Sequence, residues 1–196
     1  MILRRTVVAA LLLATTATRA DDSPFRGPHG LFDKSPQDRS SELSIWAGLP
    51  WYYGYGLSTG VRYAMPLVKK GFLPKVNDSF ELEFGGDYSY AGYGWYSINV
   101  LDAVAAGRWT LHLTSNFATY AKLGLGLSYV SSSATCGPYG SAQGYGPHYR
   151  GYGTYCSGVS PVVDGGVGIL YNVSSTIALR AETTSFGLRG GVGFDF

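Results

Sequence analysis

Cysteine, histidine, charge and long apolar runs are all scarce in this chain of 196 residues. The two cysteines, Cys136 and Cys156, and the three scattered histidines, His29, His112 and His148, match no structural metal-ligand spacing. No His-Ser dipeptide of the kind a lipid-deacylating site would use is present, and His112 beside Thr110 is a poor substitute. Gly124 and Gly126 could suggest a nucleotide loop, but no helix pattern follows them, so no cofactor is implied. Beyond residue 20, no apolar run reaches the roughly 20 residues that a membrane-spanning helix needs. If the chain spans a membrane, a closed β-barrel is what remains, because only helices and barrels satisfy every backbone group in lipid.

Residues 1–20 read as a secretory signal: Arg4 and Arg5, an apolar stretch from Val7 to Ala14, and small residues up to Ala20. No cysteine near that cut supports a lipid anchor. Removing Arg4, Arg5 and Arg19 leaves 12 basic against 13 acidic residues, a balance that does not support nucleic-acid binding. The rest holds all 28 glycines and all 16 tyrosines, a composition that suits an all-β membrane protein. Residues 21–41, rich in Pro, Gly, Ser and charge, are expected to be a flexible periplasmic tail, with the barrel over 42–196.

Period-two alternation carries the fold prediction. Phe186, Leu188, Val192, Phe194 and Phe196 oppose Gly187, Arg189, Gly191, Gly193 and Asp195, and Leu123, Leu125 and Leu127 oppose Lys122, Gly124 and Gly126. Eight such segments can be traced, and in each the charges fall on the face opposite the apolar one. The expected fold is therefore all-β, an antiparallel up-and-down transmembrane barrel of eight strands. A soluble sandwich would expose a face richer in Lys and Thr. The face expected to line the lumen carries Glu42, Glu81, Glu83, Asp87, Asp102, Asp164, Glu182 and Asp195 against Arg62, Arg108, Lys122, Arg180 and Arg189. Near-balance predicts pairing, and an eight-stranded interior is just wide enough for side chains to fill it. Leu125→Arg is expected to be costly, and Gly126→Ser mild.

With both termini in the periplasm, connections at 51–56, 89–96, 131–160 and a tight turn near Thr184 face outward, and the turns at 114–116 and 172–175 face inward. The 68–78 connection is long for an inner turn. A Cys136–Cys156 disulfide would close about 21 residues and be worth roughly 3 kcal/mol by chain entropy. It would gather Tyr139, Tyr145, Tyr149, Tyr152 and Tyr155 into a lobe able to contact carbohydrate or protein, although tyrosines settling at lipid headgroups is the plainer reading. Trp51, Tyr52, Tyr53, Trp95, Tyr96 and Tyr129 fall at outer strand ends, where amphipathic rings anchor a barrel.

The signal, the eight segments, the run Tyr120 to Leu127 and the closing Gly-Val-Gly-Phe-Asp-Phe together resemble the small OmpA/OmpX-like outer-membrane barrel proteins across residues 42–196. The resemblance implies the outer membrane of a Gram-negative bacterium, lipid and the barrel assembly machinery as partners, and Phe194 with Phe196 as the assembly signal. Function differs within such families. Three readings follow: a monomeric, non-enzymatic envelope protein whose outer loops contact surface polysaccharide or protein, a narrow channel for small solutes or ions, and a lipid-modifying enzyme.

Overall fold

Side chains along a β-strand point alternately to opposite faces, so a strict small-or-charged versus apolar alternation specifies which way each strand faces. The structure, a computed structural model, describes residues 23–33, 40–51, 55–93, 96–133 and 157–196. It contains eight strands: β1 (Glu42–Pro50), β2 (Tyr55–Val68), β3 (Asp78–Tyr93), β4 (Tyr96–His112), β5 (Phe117–Ser132), β6 (Ser157–Asn172), β7 (Ile177–Thr184) and β8 (Gly187–Asp195). Each pairs antiparallel with its neighbours in sequence, and β1 also pairs with β8, from Glu42↔Asp195 to Pro50↔Gly187, closing the barrel. Closure removes the unpaired edges that an open sheet would present.

The faces follow the alternation in every strand. Glu42, Ser44 and Trp46 of β1 point inward while Leu43, Ile45 and Ala47 point outward. Leu123, Leu125 and Leu127 of β5 are 58–70% exposed on the outer wall, whereas Tyr120, Lys122 and Ser128 are buried inside. Among the described residues no helix is long and apolar enough to cross a membrane. The architecture is that of the eight-stranded barrels which the sequence resembles.

Three features differ from the sequence reading. First, β3 and β4 continue to the pair Tyr93↔Tyr96, so the connection expected at 89–96 shrinks to 94–95. The alternation persists there, with Ser89 and Ala91 buried inside and Tyr88 and Tyr90 outside. Likewise β5 and β6 reach the pair Ser131↔Ser157, leaving a shorter outer connection than 131–160. Second, within the segment expected to be a free tail, residues 23–33 form turns against the end of the barrel that carries the termini. Leu31 N–H donates to the Leu113 carbonyl (3.2 Å), the Leu31 carbonyl accepts from Asn77 N–H (2.6 Å), and the Asn77 Nδ2 amide donates to the carbonyls of His29 (3.1 Å) and Gly30 (3.2 Å). A loop polar in composition is held because it caps backbone groups left at the ends of β3 and β4.

Third, the long 68–78 connection is ordered around one carboxylate. Asp78 is buried and accepts from Trp109 Nε1 (2.8 Å), Phe72 N (2.9 Å) and Leu73 N (3.4 Å). Gly71 has φ +53°, a left-handed conformation that favours glycine, and a Cβ there would run into the Asp78 carboxylate.

Candidate functional site

The lumen is the chemically distinctive part of the molecule. Every strand sends at least one charged side chain into one connected network. Glu83 of β3 is its centre, with Arg180 Nη2 at 3.1 Å, Lys122 Nζ at 3.2 Å, Arg108 Nη1 at 3.4 Å and Arg62 Nε at 3.7 Å. Those four cations come from β7, β5, β4 and β2. Glu42 of β1 binds Arg180 (2.7 Å) and Arg108 (3.1 Å). Glu182 of β7 meets Lys122 (3.0 Å), Arg189 of β8 and the Tyr120 hydroxyl, which donates to it at 2.6 Å. Asp87 pairs with Arg62 and with Arg189 (2.7 Å), and Asp164 of β6 with Lys122 (3.1 Å).

Aromatic rings complete the packing. The Arg180 guanidinium lies 4.4 Å from the Trp46 ring centre and 5.0 Å from that of Tyr120, and Arg189 lies 5.4 Å from Trp46. These planar cations stack on faces that a lysine would use poorly. Alternation along β1 and β5 turns Trp46 and Tyr120 to the lumen, but no local signal in the sequence marks them as partners of arginines from distant strands.

Of the charged residues expected in this network, the structure brings together Arg62, Glu83, Arg108, Lys122, Asp164, Arg180, Glu182 and Arg189, with Glu42, Glu81 and Asp87 joining them. Asp195 joins no ion pair among the described residues, and Asp102 is the sharper exception. It is buried in the lumen, yet among the described residues no cation stands within ion-pair distance of it, and its Oδ1 has no hydrogen-bond partner. Its register partners are Asp87, whose carboxylate already engages Arg62 and Arg189, and Ser128. Counting charges on a face could not reveal this, because pairing across a barrel depends on stagger between strands.

At the terminal end of the lumen, a Ser-His contact forms that the sequence reading did not anticipate. Ser79 Oγ lies 3.1 Å from His112 Nε2, since β3 and β4 pair beside these positions. Ser79 is fully buried and donates its hydroxyl proton to Glu81, whose other oxygen accepts from Thr110 (2.7 Å) and Arg108 (3.2 Å). A serine committed as donor to a carboxylate and shut off from solvent is a link in a polar chain. A nucleophile requires its proton directed to a base and an open approach.

The outer wall carries the other expected groups. Phe194 and Phe196 are exposed at 42% and 70%, with Phe196 N–H donating to Ser41 and its ring 6.3 Å from that of Tyr63. Trp51 and Tyr129 lie exposed at the loop end, Trp51 Nε1 donating to the Thr184 carbonyl at 3.0 Å. Tyr63, Trp109 and Tyr171 add aromatic surface at the terminal end. Cys136, Cys156, Tyr139, Tyr145, Tyr149, Tyr152 and Tyr155, together with Tyr52, Tyr53 and Trp95, lie outside the described residues, and so does the Tyr96 side chain.

No protein-family model and no curated protein matches the chain in sequence. Solved structures similar to it include Ail, the attachment invasion locus protein of Yersinia pestis, at 13% identity and a TM-score of 0.47, covering 82% of this chain and 100% of that one. They also include the N-terminal β-barrel domain of Pseudomonas aeruginosa OprF, at 13% identity and a TM-score of 0.47, covering 81% and 98%.

Proposed function

We propose that this protein is a non-enzymatic barrel of the Gram-negative outer membrane, closed to solutes, which holds its outer loops at the cell surface for contact with polysaccharide or protein. The observation that carries the closed state is the buried ion-pair network joining all eight strands, in which Arg62, Glu83, Lys122, Asp164, Arg180 and Glu182 are each at most 5% exposed. A water path would need lumen charges separated by gaps. Membrane placement is supported by the outer wall, where leucine, valine, isoleucine and aromatic side chains stand exposed from Leu43 round to Phe194. Such a surface is unfavourable in water and suits the hydrocarbon of a bilayer. The loop segment 134–156, with its two cysteines and dense tyrosines, is the proposed contact surface, Cys136 and Cys156 forming a disulfide and the chain acting as a monomer. The proposal includes export by residues 1–20 and recognition of Phe194 and Phe196 by the assembly machinery.

Single-channel recording in planar bilayers tests the closed state. An inserted protein, verified by its heat-dependent gel shift, is expected to be silent. Discrete steps that change when Glu83 or Arg180 is neutralised would establish the channel reading instead. The enzymatic reading has its own check: fatty acid released from lipopolysaccharide by the protein, and lost in His112→Ala, would overturn the non-enzymatic assignment.

A further inference from the structure

Within residues 42–196, the described charged side chains are buried in the barrel or face its lumen, with three exceptions: Lys69, Lys70 and Lys75. All three are exposed and all belong to the 68–78 turn. The other two turns at that end, 113–116 and 172–176, carry no charge. The one acid of the segment, Asp78, is withdrawn from the surface by Trp109 and by the backbone of Phe72 and Leu73. Lys70 and Lys75 therefore place positive charge beside an outer wall whose strands, among the described residues, expose none.

Its apolar side chains are placed to continue the outer wall. Phe72 is 65% exposed and its ring lies 5.7 Å from that of Phe80, whose register partner is Trp109 on the outward face. Beside the turn, Tyr63, Met65, Pro66 and Phe196 line an outward groove with Lys69 at its edge. Apolar rings at hydrocarbon depth and ammonium groups just beyond them match an acyl chain joined to an anionic headgroup.

We propose that this turn is a binding site for an anionic phospholipid of the inner leaflet, with Lys70 and Lys75 facing the headgroup phosphate and Phe72 the acyl chains. The site rests on the membrane placement proposed above. Its charge complementarity to an anionic lipid distinguishes it from the described strands of the outer wall, which expose no charge.

The test is spin-labelled lipid association with the protein reconstituted in phosphatidylcholine bilayers, read as the fraction of motionally restricted phosphatidylglycerol relative to phosphatidylcholine. The wild type is expected to favour phosphatidylglycerol by roughly threefold or more at low salt, with the preference fading as salt rises. Lys70→Gln/Lys75→Gln should fall toward parity, and Lys70→Arg/Lys75→Arg should retain the preference. No preference in the wild type, or an undiminished one in the glutamine variant, would overturn the site and leave a protein or glycan as the partner of the turn. A wild type that restricts no lipid of either kind would overturn the membrane placement itself, and the site with it.

Discussion

Glu83 is the residue on which the lumen depends most directly. Four cations from four other strands surround it, and it is 1% exposed. Removing one partner of a buried pair is costly because the remaining charges stay desolvated without compensation, typically by about 3–5 kcal/mol. Glu83→Gln is expected to lose stability on that scale in urea titrations of the refolded barrel, and its loss should be less than additive with that of Lys122→Met, which also takes a partner from Asp164 and Glu182. Fully additive losses in that double-mutant cycle would show that Lys122 does not act through Glu83. On the opposite face, Leu125 is 70% exposed on the outer wall, and Leu125→Arg should cost about 2–4 kcal/mol if that wall is in lipid. The same titration against a detergent-only control checks it. Gly126, one position on, is less tolerant than its lumen-facing register suggests: a Cβ there would meet the Ala103 carbonyl and come within 2.5 Å of Val104 Cγ1. Gly126→Ser is therefore expected to destabilise measurably, a reversal that follows from close approach of β4 to β5.

At the scale of elements, the strands were legible because each repeats one rule over eight or more residues. Leu179 and Ala181 against Arg180 and Glu182 in β7 leave no other register compatible with an uncharged exterior. Connections were less legible. Nothing in residues 21–41 signals that Leu31 will bridge Leu113 and Asn77, since the docking depends on backbone groups left unpaired where β3 and β4 end. Asn77 provides the decisive side-chain contacts to this strap. Asn77→Ala should lose about 1–3 kcal/mol of docking free energy. The expected result is at least roughly tenfold faster amide exchange across 23–33, with the urea midpoint of the barrel little changed. Exchange unaltered in that segment would show that the strap is held by its backbone hydrogen bonds alone. The 68–78 turn has the same character: its length was visible in the sequence, whereas its organisation around Asp78 and the left-handed Gly71 was not.

For the molecule as a whole, barrel closure converts a charged face into a buried interior. Strands β1, β7 and β8 have 8 or 9 residues while β2 to β6 have 14 to 17, so one side of the wall rises farther at the loop end. On the long side, β5 and β6 pair up to Ser131↔Ser157 and so bracket residues 134–156. Meanwhile the lumen spends its charges on cross-barrel pairing. Period-two alternation by itself determined the eight strands, the inward and outward sets and the all-β class, because an unpartnered charge on the outward face costs about 2–4 kcal/mol in mid-membrane and each strand reports its register locally. Which acid meets which base, why Asp102 is left out, and how Ser79 reaches His112 were decided only by the tertiary structure. Those contacts join residues up to 138 positions apart, as between Glu42 and Arg180, and depend on strand stagger and closure that no single segment encodes.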